Sequence, residues 1–214
     1  MPTFNGTTAT GGAITKSEVF IDVTAGLAEL AGQVKNIDRE LRKTLYDLAG
    51  RDDFLDDTDS VTTEDGTAGY TEPVLIKKIK AVHIAGGQDL VEGSYDEYLR
   101  DIEDQSSPTT GEPEKWCRWN GEIILYHPIP GDEYTVTVDY YKYHANSVTT
   151  IEFAEMFREA LTQGILYRLY TGQLKKTEDA GQQAITHKQL YENEIQILTG
   201  NRPSEPMRVR YRDI

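Results

Sequence analysis

From about Ser17 the chain carries apolar residues at three- and four-residue spacing: Phe20, Val23, Leu27, Leu30, Ala31 and Val34. That recurrence places one apolar stripe along a helix, and Ser17 stands where an N-cap is wanted. A second run, Ile37, Leu41, Leu45 and Leu48, closes at Gly50, as helices commonly do. Between them Gly32 to Asn36 interrupts the stripe, so two helices or one kinked helix fit the span 17–50 equally well. The period then changes. Val74-Leu75-Ile76, and then Ile79 to Ile84 ending at Gly86-Gly87, read as strand followed by turn. Lys115 to Trp119 and Ile123 to Tyr126 flank Asn120-Gly121, a strong two-residue hairpin signal. Tyr134, Val136, Val138 and Tyr140 alternate with polar residues, as a half-buried strand does, and Pro128 and Pro130 keep the last two strands apart. Helical spacing returns with Phe153, Met156, Phe157, Ala160, Leu161, Gly164 and Ile165, predicting a helix over about 151–170. After Gly172, the residues Ala180, Ala184, His187, Tyr191 and Leu198 mark another, ending at Thr199-Gly200.

The pattern predicts an α+β chain: a helical bundle of two N-terminal and two C-terminal helices, with an inserted antiparallel β lobe of about five to six strands. A Gly/Thr-rich flexible arm is expected over 1–15. One domain follows over 16–200, with helices in 17–50, the β lobe in 53–143 and helices in 151–199. A C-terminal extension occupies 201–214. No internal repeat is visible.

Charge changes this picture. The 214 residues carry a formal charge of −14, which weighs against tight binding to a phosphate backbone, because such binding draws on Lys and Arg. Residues 201–214 run the other way, with Arg202, Arg208, Arg210 and Arg212 against Glu205 and Asp213. A basic, Pro-containing tail on an acidic body suggests a tail with its own partner; a merely solvated terminus is the plainer reading. No stretch reaches the roughly 20 apolar residues of a membrane span. Met1 to Lys16 lacks the basic and apolar segments of a secretory signal, and the single Cys117 offers no internal disulfide.

Candidate chemistry is sparse. The histidines, His83, His127, His144 and His187, fall in no metal-ligand spacing. The acidic run Asp52 to Asp65 hints at a calcium loop at Asp57-Thr58-Asp59, but the fifth position is Val61 and the sixth, where glycine is required, is Thr62. The nucleophile-elbow, phosphate-loop and dinucleotide-turn motifs are absent. Cys117, between Trp116 and Trp119, reads as a small buried hydrophobe. No catalytic residue, metal site or cofactor is expected, and the chain does not read as an enzyme. Tyrosines concentrate in the lobe, at Tyr126, Tyr134, Tyr140, Tyr141 and Tyr143. They suit pleated strands, a protein contact or a glycan-binding face.

Residues 111–143, GEPEKWCRWNGEIILYHPIPGDEYTVTVDYYKY, resemble a segment of tailed-bacteriophage head-to-tail adaptor (connector, or neck ring) proteins. A Gly-x-Pro turn there leads into an aromatic strand, an Asn-Gly hairpin, a Pro-Ile-Pro strand end and a strand closing in paired tyrosines. Asp53-Phe54-Leu55, the stretch from Thr63 to Tyr70, Gly87 to Leu90, and Tyr95 to Tyr98 are similar to further stretches of that family. The likeness spans about 36–200. It implies a structural virion protein in the neck between capsid and tail, assembled in the host cytoplasm. Its partners would be the portal protein and a nozzle, stopper or tube protein of the tail. It also implies a ring, commonly of twelve subunits, with double-stranded DNA passing through and no membrane contact. The portal-embracing role of the family's C-terminal extension would fall to Arg202, Pro203, Pro206, Met207, Arg208, Val209, Arg210, Tyr211 and Arg212.

Overall fold

A computed structural model describes residues 5–7, 14–87, 89–103, 109–145, 148 and 150–200. The chain divides into two compact units: one takes residues 53–145 with the strand at 5–7, and the other takes the helical segments before and after.

In the helical unit, α1 spans Lys16–Leu27. Its N-cap is Thr15 rather than Ser17. The Thr15 hydroxyl accepts from the Glu18 amide, while the Glu18 carboxylate accepts from the Thr15 amide at 2.9 Å, a reciprocal pair that satisfies two free donors. The buried line is Val19, Val23 and Leu27, with Phe20 only half-buried. At Ala28 the backbone turns to φ 47° and a short 3-10 segment, Ala28–Gln33, follows, so the expected break yields two helices and not one kinked helix. Asn36 caps α2, Ile37–Arg51, its side chain accepting from the Arg39 amide at 2.9 Å. Leu41, Leu45 and Leu48 are buried as the spacing predicts.

Two more helices complete this unit, named α4, Arg158–Thr171, and α5, Ala180–Gly200, after α3 of the β unit below. A 3-10 turn over Glu155–Phe157 precedes α4, so the helix expected from about 151 starts later, and Met156 is exposed instead of lying on the apolar stripe. Helix α4 packs on α1, α2 and α5 and is buried on most of its circumference, from Ala160 to Tyr170. Each fully buried leucine or isoleucine there, such as Leu161, Ile165 and Leu169, contributes about 1.5–3 kcal/mol of burial free energy.

The β unit holds ten strands among the described residues: β1 Asn5–Thr7, β2 Asp56–Thr62, β3 Gly69–Thr71, β4 Ile76–Ile84, β5 Val91–Glu92, β6 Thr110–Gly111, β7 Lys115–Trp119, β8 Glu122–Tyr126, β9 Ile129–Pro130 and β10 Thr135–Lys142. One sheet runs β1-β2-β10-β4, a second β3-β8-β7-β5, and β6 pairs β9. This corrects the expectation of five to six antiparallel strands. Five strands, β1, β3, β5, β6 and β9, are two or three residues long, too short to carry a period, the seven-residue β2 lies in the stretch read as an acidic run, and the pairs β5–β7 and β6–β9 are parallel. Residues 5–7, within the stretch read as a flexible arm, pair antiparallel with β2. Val74 and Leu75 lie in a turn, so one strand from Ile76 replaces the two expected.

Alternation along β10 turns Val136, Val138 and Tyr140 inward, where they join Val61, Val82, Tyr70, Trp116, Ile123 and Leu125 in one core drawn from both larger sheets. Strand β8 is buried on both faces. Ile124 and Tyr126 point away from that core and, with Cys117, meet Tyr95 and Tyr98 of a short helix, α3, Tyr95–Glu103. The hairpin turn has φ 51° at Asn120 and 80° at Gly121, the left-handed pair that a two-residue turn between twisted strands demands.

Candidate assembly surfaces

The residues assigned to portal docking, Arg202, Pro203, Pro206, Met207, Arg208, Val209, Arg210, Tyr211 and Arg212, lie outside the described residues. The remaining candidates can be placed. Cys117 is buried against Ile124 and Tyr126, and burial pushes its thiol up to about 11, so the thiolate a nucleophile needs is scarce at neutral pH. No group of three or more His, Cys, Asp or Glu side chains converges as a metal site among the described residues. His127 faces Asp101 with Nδ1 3.1 Å from the carboxylate, His83 lies 3.9 Å from Asp139, and His144 is buried. His187 stacks on Tyr170 at 5.4 Å and meets the Gln163 side chain at 2.6 Å. Burial holds its imidazole below the usual value, as a packing histidine.

The acidic run of β2 splits by alternation. Asp56 and Thr58 face outward, and the Thr58 hydroxyl donates to Asp139 at 2.7 Å. Asp57 and Asp59 face inward. Lys142 pairs with Asp57 at 2.8 Å, both about nine-tenths buried, and the Tyr140 hydroxyl donates to Asp59 at 3.1 Å. The second Asp59 oxygen is buried without a hydrogen bond, and burial, the largest influence, pushes its carboxyl up from the ordinary value.

Among the tyrosines singled out in the lobe, Tyr126 and Tyr140 are core residues, whereas Tyr141 lies under the ammonium groups of Lys80 and Lys78 at 4.8 and 5.9 Å. Among the described residues of this unit, the most exposed aromatic side chain is Trp119, at 52% exposure. Its ring lies parallel to that of Tyr95 with centroids 4.4 Å apart. Sequence periodicity does not bring Tyr95 and Trp119 together, because α3 has no buried residue to mark a helical stripe.

A polar network ties the helical unit. The Tyr191 hydroxyl donates to Asp47 at 2.9 Å, Arg168 approaches the same oxygen at 3.4 Å, and Arg51 joins Asp47 to both oxygens of Glu192. Arg158 of α4 clasps Asp22 of α1, holding that carboxyl below its ordinary value and the guanidinium above its own.

Charge is divided unequally between the units. The segments 1–10 and 53–145 carry 20 acidic residues against 7 basic, a net −13. The segments 11–52 and 146–214 carry 16 against 15, a net −1. The acidity seen in the composition thus belongs to the β unit. Among the described residues no helix is long and apolar enough to cross a membrane.

No curated protein matches the chain. A family profile described as SU10 adaptor protein does, over residues 14–210, which takes in the helices, the β unit apart from β1 and most of the basic tail. With nearly its whole length covered, the chain belongs to the SU10 adaptor protein family.

Proposed function

We propose that this protein is the head-to-tail adaptor of a tailed phage: a structural virion protein that forms a ring below the portal and joins the DNA-filled capsid to the tail. The observation that carries this reading is the family match over residues 14–210. The division of charge supports it. A unit of net −13 gives a duplex a wall it does not adhere to, because adhesion needs Lys and Arg to displace counterions. Twelve subunits around a central DNA passage, a nozzle, stopper or tube protein on the tail side, a place in the virion neck and assembly in the host cytoplasm complete the proposal. Arg202, Pro203, Pro206, Met207, Arg208, Val209, Arg210, Tyr211 and Arg212 form the portal-docking strap. A short segment that orders on contact adds main-chain hydrogen bonds and Arg–carboxylate pairs to a surface already formed, and two prolines lower the cost of ordering it.

Electron microscopy of the purified chain mixed with its portal tests the class. A ring stacked on the portal is expected, and no complex at any ratio would end the reading. Deleting 201–214 should abolish joining while leaving the circular dichroism spectrum and melting temperature unchanged; full portal affinity in the truncated chain would remove the strap.

A second reading rests on the exposed Trp119–Tyr95 stack, a flat apolar face of the kind that binds sugar rings or a partner loop. It predicts saturable binding of the β unit to host surface glycans, lost in Trp119→Ala, with portal binding unaffected.

A further inference from the structure

The helical unit carries two charge-poor faces on different helices. Of the twelve exposed positions of α5, only Lys188 is charged. The others include Ile185, Leu190 and Ile197, at 54%, 41% and 52% exposure, among glutamines and small residues. Every exposed position of α1 is uncharged as well: Ser17, Ile21, Thr24, Ala25 and Gly26, with Ile21 at 65% exposure. The charges that α1 does carry are answered within the chain, Lys16 by Asp38 and Glu18 and Asp22 by Arg158. By contrast, the exposed positions of α2 include Arg39, Arg42, Lys43 and Arg51. In a chain with 27% charged residues, two helix faces with one exposed charged residue between them, beside the half-buried Glu192 and Glu194, are depleted in charge, and depletion of charge with retained aliphatics is the compositional sign of an interface centre.

We infer that the exposed faces of α1 and α5 are the two halves of one contact between copies of this chain, α5 of one copy seating on α1 of the next. The occupant follows from charge. Two chains of −14 repel, and the repulsion resides in the β units, at −13 each; the helical units, at −1, are where copies approach at least electrostatic cost. The head-to-tail form follows from the helices. Both α1 and α5 pack chiefly on α4, so each copy offers two separate surfaces. A contact joining two different surfaces leaves one of each free at the ends and propagates until it closes. The small residues Thr24 and Ala25, both exposed on α1, leave room for the longer Leu190 and Ile197 of α5, in the manner of ridges entering a groove.

This inference rests on the ring reading above and deepens it by naming the surface, so the test separates the two. Two full-length variants are made, Ile21→Glu and the double change Leu190→Glu/Ile197→Glu. All three sites are exposed, so melting temperatures near wild type are expected. Sedimentation at increasing concentration, and electron microscopy with portal, should show rings for wild type. Each variant alone should associate about 100-fold more weakly or worse, since a lone carboxylate would be buried in the contact. Mixing the two variants should give dimers and nothing larger, because one intact α5 face then meets one intact α1 face. Rings of unchanged size from either variant would overturn the α1–α5 contact while leaving the ring standing. Dimers from one variant alone would show a symmetric contact and overturn the head-to-tail form. Absence of rings from wild type, with or without portal, would remove the ring reading and this inference with it.

Discussion

Between Thr44 of α2 and the ring of Tyr191 on α5, Gly164 leaves no space for a methyl group. A Cβ there would lie 2.6 Å from Thr44 Cγ2 and 3.0 Å from Tyr191 Cε2. Alanine is the better helix former by roughly 1 kcal/mol, but overpacking between buried neighbours costs about 1–3 kcal/mol, and both neighbours belong to helices fixed by their own packing. Gly164→Ala should therefore lower stability to urea by about 1–2 kcal/mol. Thr44→Ser, which removes the offending methyl, should restore part of that loss in the double variant. Asp59 makes the opposite case. Burial raises its carboxyl in the folded state above the unfolded value, so its favourable contribution exists below the unfolded value and disappears as pH rises through the folded one. At neutral pH the ionised, half-satisfied group is a cost. Asp59→Asn keeps the bond from Tyr140 and should raise the melting temperature at pH 7, with the gain shrinking toward pH 4.

The seam between α4 and α5 carries its own pH dependence. His187 is stacked on Tyr170, bonded to Gln163 and held by burial below its ordinary value of 6.5, with Glu159 opposing that shift. A depressed imidazole contributes stability above its unfolded value and loses it as pH falls through the folded one. Helical circular dichroism should therefore melt at lower temperature at pH 5.5 than at pH 7.5. His187→Gln should flatten that difference, and an unchanged slope in the variant would place the titration elsewhere. Elements like α4 and α5 were legible because burial on one side imposes a period: Leu161, Ile165, Tyr191 and Leu198 stand where spacing predicts, and all are buried. The Asn120-Gly121 turn was legible because few residue pairs tolerate two left-handed conformations. Helix α3 has no buried residue, and β5, β6 and β9 are two residues each. Their existence depends on partners distant in sequence, which no local pattern records. The aromatic stack was hidden for the same reason: Tyr95 and Trp119 meet only once β5 has paired with β7.

At the scale of the molecule, the division of charge predicts unequal responses to salt. Repulsion within a unit of −13 is screened as the Debye length falls from about 30 Å at 0.01 M to about 8 Å at 0.15 M, while a unit of −1 has little to screen. Both tryptophans, Trp116 and Trp119, lie in the β unit, so their fluorescence reports on that unit alone. Raising salt should shift the fluorescence-detected melting transition upward by more than the transition seen in helical circular dichroism. Equal shifts by both probes would mean that the two units unfold as one.

The pairing of β2 with β10 has a consequence for synthesis. The helical unit is built from two pieces of chain separated by residues 53–145, and on the ribosome α1 and α2 emerge long before α4, the helix that covers their apolar faces. Closing a loop of that length costs about 4 kcal/mol of chain entropy, which would leave the first helices waiting for a distant partner. The β unit meets this cost in its own folding, because its first and last long strands in sequence are neighbours: Asp56 stands opposite Tyr141, and the Lys142 amide donates to the Leu55 carbonyl at 2.9 Å. Once that ladder zips, Leu55 and Lys142 are neighbours, and the loop left to close between α2 and α4 is only the short flanking segments. A change that weakens the β2–β10 ladder should thus slow formation of the helical core, although it touches none of its residues.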